Sequence, residues 1–270
     1  MSKSAERNRR IKIATGEKPQ TKEKFLQTAQ QELDYTLKRA LPKLEAKTQN
    51  QKIALSMFRE NRSVVFLRGS AGTGKSMLAA YRAACQLTQK NIDKVFLIRP
   101  AVAVGKSVGL LPGDLDEKLL PYFAQTLSHL EKFMGHGYLN YCLEKKVIEM
   151  QPVEYLRGRS FENCIVICEE SQNLTKQEFE MVLTRLGDNC YIIFTGDEKQ
   201  HDLKDNSGMN STISLIERMQ NSIFNREYLS ETDRNELASN VGIVNFTTED
   251  VLRSGLTKAF VKMYYNNDLY

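Results

Sequence analysis

Residues 69–76 read Gly69-Ser70-Ala71-Gly72-Thr73-Gly74-Lys75-Ser76 and fit G-x-x-x-x-G-K-S/T, the pattern of a phosphate-binding loop (P-loop, or Walker A). The chemistry accounts for the residue types. Glycines let the backbone curl until several N–H groups point at one phosphate. Lys75 supplies a mobile charge for β- and γ-phosphates, and Ser76 supplies a hydroxyl for Mg2+. The helix that starts here adds its positive dipole end. The flanks agree with that reading. Val64-Val65-Phe66-Leu67 ahead of the loop suits a buried parallel strand, and Met77-Leu78-Ala79-Ala80-Tyr81-Arg82-Ala83-Ala84 behind it is rich in helix formers. Strand, glycine loop and helix together predict nucleotide binding, and leave open what hydrolysis would drive.

The chain has 270 residues, enough for one large α/β domain or one domain plus a tail, and 41% of them are hydrophobic. No apolar run approaches the ~20 residues that span a bilayer, and the polar, basic N-terminus lacks the apolar stretch of a signal peptide. The expectation is a soluble cytoplasmic protein with no membrane partner. Five cysteines, at 85, 142, 164, 168 and 190, form no C-x-x-C pair or zinc spacing, and read as small buried hydrophobes. Three scattered histidines, at 129, 136 and 201, offer no metal site. Net charge is +5, but residues 1–50 hold twelve Lys or Arg against six Asp or Glu, which is +6 and leaves −1 for the rest. This basic arm is either a contact for RNA or DNA phosphates or a solvated leader.

Beyond the loop, strand-like runs at 64–68, 95–98, 147–155, 164–168, 191–195 and 242–246 alternate with helical stretches near 76–89, 116–134, 176–186, 210–219 and 249–264. That alternation predicts an α/β, three-layer architecture with a mainly parallel sheet and helices on both faces. Ligands then bind at the loops leaving the carboxyl ends of the strands. Ahead of the core, a stripe of Phe25, Ala29, Leu33, Leu37 and Leu41 predicts a helix over 21–41, and another helix is expected from about Gln49 to Arg59. Residues 1–45 thus read as an N-terminal helical, partly disordered extension, and 46–270 as the nucleotide-binding domain.

Two further strand ends carry acids. Cys164-Ile165-Val166-Ile167-Cys168 runs into Glu169-Glu170, the form of a Walker B strand. There the first acid holds Mg2+ through water and the second polarises the attacking water. The alternative is a charged turn after a buried strand. The usual first acid is Asp; with Glu169 the carboxylate moves about one bond length outward, which predicts looser Mg2+ placement and slow turnover. The second run, Tyr191-Ile192-Ile193-Phe194-Thr195-Gly196, ends in Asp197, followed by Gln200 as a γ-phosphate sensor. Asp197 alternatively caps the next turn.

In this order the three segments resemble the ATPase core of superfamily 1 helicases, and more closely the PhoH-like family. Other stretches similar to that family are Arg99-Pro100-Ala101-Val102, Leu110-Leu111-Pro112-Gly113-Asp114-Leu115, Tyr155-Leu156-Arg157-Gly158-Arg159-Ser160-Phe161, Glu170-Ser171-Gln172-Asn173 and Phe246-Thr247-Thr248-Glu249-Asp250-Val251-Leu252-Arg253. The segment from Asn221 to Asn240 looks like an insertion, and the basic arm is not covered. The resemblance implies a P-loop NTPase of the RecA/helicase-like type. It also implies that Gln51 reads adenine, as a helicase Q-motif does, where a solvated helix residue is the alternative. Arg157 and Arg159 face phosphate, nucleic acid or a neighbouring subunit, or are surface residues of a turn. Arg253 acts as a sensor or arginine finger, in cis or across a subunit boundary.

The function so implied is Mg2+-dependent ATP hydrolysis, with Lys75, Glu170, Gln200 and Arg253 as catalytic groups. Gly69 to Ser76 and Gln51 bind ATP, and Ser76 and Glu169 serve Mg2+, the latter through water. The family further implies RNA metabolism or a phosphate-starvation response, ring-like homo-oligomers such as hexamers, RNA or single-stranded nucleic acid as partner, and phage relatives. The rivals are an oligomeric helicase or translocase, a small-molecule kinase, and a nucleotide-gated binding protein with little turnover.

Overall fold

The computed structural model describes residues 41–100, 115–197, 199, 207–220 and 229–266. In chain order the elements are α1 (Gln49–Arg59), β1 (Val64–Gly69), α2 (Lys75–Thr88), β2 (Lys94–Arg99), α3 (Leu115–Met134), α4 (His136–Glu144), β3 (Ile148–Pro152), β4 (Cys164–Cys168), α5 (Lys176–Leu183), β5 (Cys190–Gly196), α6 (Gly208–Gln220), α7 (Glu231–Asn240), β6 (Val241–Phe246) and α8 (Gly255–Asn266). Short 3-10 turns follow β3, β4 and β6, at Val153–Leu156, Ser171–Asn173 and Thr248–Asp250.

The six strands form one sheet in the order β3-β2-β4-β5-β1-β6. All five pairings are parallel, in the registers Val64↔Ile192, Val64↔Val241, Val95↔Ile148, Lys94↔Cys164 and Cys164↔Cys190. Alternation along the strands builds two cores. Val65, Leu67, Val95, Leu97, Ile165, Ile167 and Ile193 point to the face covered by α1 to α4. Val64, Phe66, Ile98, Val166, Ile192 and Phe194 point to the face covered by α5 and α6. Strands buried on both faces must be apolar at every position, which is why the runs show no polar alternation. Rings lock the second layer: Phe66 stacks on Phe194 at 4.8 Å between centroids, and Phe179 of α5 meets Phe194 at 4.9 Å. Cys142, Cys164, Cys168 and Cys190 are buried within these cores. The protein is therefore a three-layer α/β sandwich.

The expected elements shift in four places. The run 147–155 stops as a strand at Pro152, and its last residues form a 3-10 turn. The stretch 249–264 divides into the turn Thr248–Asp250 and α8. Helices α4 and α7 were not anticipated; α4 opens after Gly135, whose φ of 82° looks like loop chemistry from sequence, and α7 buries no side chain and so has no apolar stripe. Residues 1–40, with the helix expected over 21–41, lie outside the described residues, as do 101–114 and 221–228.

Candidate functional site

Because every strand is parallel, their carboxyl ends share one edge. Along it stand, in spatial order, Arg99 of β2, Glu169-Glu170 after β4, Asp197 after β5 and the 69–76 loop after β1. The strand carrying Asp197 thus lies between the loop strand and the Glu169 strand.

The loop is held by its own backbone. Gly69 (φ 127°), Gly72 (φ 80°) and Gly74 (φ 92°) adopt conformations that favour glycine. Gly69 is also a packing requirement, since a Cβ there would collide with the Phe246 carbonyl at the end of β6. Thr73 donates from Oγ1 to the Ser70 carbonyl at 3.0 Å. Gly74 caps α2, leaving the first N–H groups of that helix turned toward the loop. Ser76 lies in the first turn of α2 and is half-buried.

Lys75 folds over this loop. Its Nζ donates to the Gly69 and Ser70 carbonyls at 2.6 and 2.8 Å. Burial lowers its pKa to about 8, opposed by the charges of Asp197 and Glu170. Gln51, 1% exposed, lies beneath the loop. Its Nε2 donates to the Thr73 carbonyl at 2.9 Å and its Oε1 accepts from Lys47 N–H at 2.8 Å. Both ends of this amide are therefore engaged with backbone.

Glu169 is 3% exposed and has a donor on each oxygen. Arg99 donates from Nε to Oε2 at 3.1 Å, and the Thr126 hydroxyl of α3 donates to Oε1. Burial raises its pKa to about 7 against the pull of Arg99. The Arg99 guanidinium also stands 3.5 Å from Glu170 and over the Phe123 ring. Arg99 shows in the sequence only as the head of the Arg99-Pro100-Ala101-Val102 stretch, with nothing to mark Glu169 as its partner, and Thr126 carries no local signal, being a hydroxyl on a helix.

Glu170 occupies the left-handed region (φ 50°, ψ 37°), a costly position for a side chain with a Cβ. Its carboxylate accepts from Gln172 Nε2 at 2.7 Å. The other end of the same Gln172 amide accepts from Asp197 N–H at 3.0 Å, so one side chain links the two acid-bearing strand ends. Gly196 permits this, since a Cβ there would lie 2.9 Å from both Gln172 Oε1 and Ser171 Oγ. Asp197 accepts from Lys199 N–H at 3.2 Å and stands near the Ala71 N–H of the loop.

At the other end of the chain, the 3-10 turn before Arg253 is fixed by Asp250. That carboxylate accepts from Thr247 N–H at 2.9 Å and from Asn50 of α1 at 2.7 Å. Leu252 N–H then donates to the Gly72 carbonyl at 3.2 Å, and the Arg253 side chain lies against Gly72. Gln200 lies outside the described residues. Arg159 pairs with Glu149 of β3 at 3.1 Å and covers Phe96, which sets it against the strand-start half of the sheet, and Arg157 is exposed beside it. Arg159 is thus not brought to the loop edge.

Two buried atoms at this edge, Ser70 Oγ and Asp197 Oδ2, have no hydrogen-bond partner. A curled amide loop, a lysine and hard oxygen donors fit a polyphosphate with Mg2+. Among the described residues no helix is long and apolar enough to cross a membrane.

The comparisons with known proteins agree with this arrangement. The family model described as PhoH-like protein matches residues 43–265. Protein PhoH of Escherichia coli (strain K12) is 36% identical over 207 residues, covering 76% of this chain and 54% of the relative. A PhoH-like protein of Bacillus subtilis (strain 168) is 33% identical over 221 residues, covering 82% and 64%. The chain thus spans between about half and two thirds of the length of these relatives. Among solved structures, a Sulfolobus solfataricus SWI2/SNF2 ATPase core in complex with dsDNA matches with a TM-score of 0.41 and 15% identity, over 76% of this chain and 45% of that one. With a family match over residues 43–265 and relatives more than 30% identical over most of its length, the chain belongs to the PhoH-like protein family.

Proposed function

We propose that this protein is a Mg2+-dependent ATPase. The observation that carries the reading is the approach of two separate strand ends to the loop lysine: Lys75 feels the charges of both Asp197 and Glu170, and Gln172 ties those two acids together. Lys75 and the amides of residues 69–76 hold the β- and γ-phosphates of ATP. To do so, Lys75 releases the Gly69 and Ser70 carbonyls that it now occupies. Glu170 is the general base that orients and polarises the attacking water, and its left-handed backbone keeps the carboxylate half-exposed at the edge. Ser76 and Glu169 would hold the cation, Glu169 through water, and a bound cation would supply neutralisation of phosphate charge. Arg253, lying on Gly72, and Gln200 complete the stabilisation of the transferring phosphoryl group.

A slower variant of this reading, a nucleotide-gated binding protein with little turnover, is favoured by one observation. Glu169 spends its oxygens on Arg99 and Thr126. The wider proposals are a cytoplasmic protein, homo-oligomeric, acting on RNA or single-stranded nucleic acid. They are supported by the basic first 50 residues and by the exposed apolar side chains Leu256, Phe260, Met263 and Tyr264 on α8.

Phosphate release from ATP by purified protein, with and without Mg2+, RNA and DNA and alongside solution mass, tests the reading. Lys75→Ala and Glu170→Gln should each lower turnover by about 100-fold or more, with Glu170→Gln keeping its affinity for ATP. Turnover in both variants equal to that of the unmodified protein would overturn it.

A further inference from the structure

We propose that Asp197 is a cation-positioning residue of this site: its buried carboxylate, standing between the 69–76 loop and Glu170, takes the side of the divalent cation's water shell that Glu169 does not reach. The inference rests on the ATPase reading and deepens it by naming a residue for the cation.

Four observations carry it. Asp197 is 6% exposed, yet its Oδ2 is a buried oxygen without a hydrogen-bond partner. A buried carboxylate oxygen with no donor is costly, and a hydrated cation supplies what is missing. The other oxygen shows which way the group is anchored. Oδ1 takes Lys199 N–H at 3.2 Å, and the carboxylate stands near the Ala71 N–H of the phosphate loop itself. Third, Glu169 has both of its carboxylate oxygens taken by other side chains. Glu169 is turned toward β2 and α3, where Arg99 and Thr126 hold it. Finally, the Asp197 backbone is fixed by Gln172, the same side chain that orients Glu170. A cation held on Asp197 would therefore share a rigid mount with the water-activating acid. Capping of the turn at Lys199 accounts for Oδ1 alone and leaves Oδ2 unexplained.

The test is binding of a fluorescent, non-hydrolysable ATP analogue by the full chain, titrated with Mg2+ and repeated in EDTA. Asp197→Asn keeps the size of the side chain and the Oδ1 cap but removes the charge. Its affinity in EDTA should equal or exceed that of the unmodified protein, because a negative charge beside Lys75 has gone. The Mg2+ concentration for half-maximal binding should rise at least about fivefold. Glu169→Gln should move that midpoint less. If Asp197→Asn superimposes on the unmodified protein in Mg2+, or binds more weakly in EDTA and Mg2+ alike, Asp197 is only a turn cap and the inference falls. If the unmodified protein neither binds the analogue nor responds to Mg2+, the ATPase reading falls first. An Asp197→Asn melting temperature within a few degrees of the unmodified protein's rules out misfolding; if it drops further, Asp197→Glu, which keeps the charge, should restore the Mg2+ response, and its failure to do so also overturns the inference.

Discussion

Arg99 donates from Nε to the carboxylate of Glu169 across 3.1 Å, joining the ends of β2 and β4. The extra methylene of Glu over Asp is what lets one carboxylate reach Arg99 and Thr126 together. Glu169→Asp shortens that reach and leaves a buried donor short of its acceptor, a loss of about 1–3 kcal/mol. Denaturant unfolding should show a loss of that order, and ATP turnover should not rise. A faster variant of unchanged stability would restore the simpler view that Glu169 is an Asp held too far out.

Burial lowers Lys75 from 10.5 to about 8. At pH 8.5 much of the free protein carries a neutral Lys75, while polyphosphate binding needs the ammonium. Loading ATP in EDTA should then take up a proton at that pH, read as a binding heat that varies with buffer ionisation enthalpy, and should take up none at pH 6.5. The stability effect has the same origin. The unfolded chain keeps this proton up to about 10.5, so the cost of burying the charge is fully present below pH 8 and is relieved as pH climbs from 8 toward 10.5. Lys75→Met should flatten that part of the stability profile; an unchanged profile would mean Lys75 keeps its ordinary pKa.

Gln51→Ala addresses the base-reading role that the resemblance implies. Its amide bridges Lys47 N–H and the Thr73 carbonyl. Removing it should cost about 1–3 kcal/mol through the unpaired backbone groups and should weaken ATP and GTP binding by the same factor. A selective loss of ATP affinity would show that the side chain leaves the loop to meet the base.

Arg253 lies against Gly72 of its own chain, where a Cβ would be 3.1 Å from Nε. Action in cis follows. Arg253→Ala should reduce turnover at least tenfold, a conservative figure for a phosphoryl-stabilising arginine, and mixtures of Arg253→Ala with Lys75→Ala subunits should stay inactive. Recovered turnover in the mixture would assign the arginine to a neighbouring subunit.

Much of this arrangement is legible in the residues. Val64-Val65-Phe66-Leu67 and Cys164-Ile165-Val166-Ile167-Cys168 announce themselves because a strand buried on both faces has no polar option. Gly69 to Ser76 is legible because the geometry it serves admits few residue types. Helix α7 gives no such signal: none of its residues is buried, so nothing periodic marks it. The contacts of Arg99, Thr126 and Asp250 are hidden for another reason. Their partners lie 70, 43 and 200 residues away, and only the strand order β2-β4-β5-β1 and the packing of α1 and α3 bring them together. Even Glu169 and Glu170, adjacent in sequence, diverge in direction, because the left-handed backbone at Glu170 turns the second carboxylate toward the edge while the first faces α3.

Strand β1 runs between β5 and β6, with Val64 opposite both Ile192 and Val241. A chain leaving the ribosome carries the whole of Gly69 to Ser76 long before either neighbour of β1 exists. Gly69 rests against Phe246, and Gly72 accepts from Leu252, both far downstream of the loop. The loop therefore takes its shape only after β5, β6 and the turn beyond β6 have been made, and a nascent chain that stops short of them presents the loop's sequence without its shape.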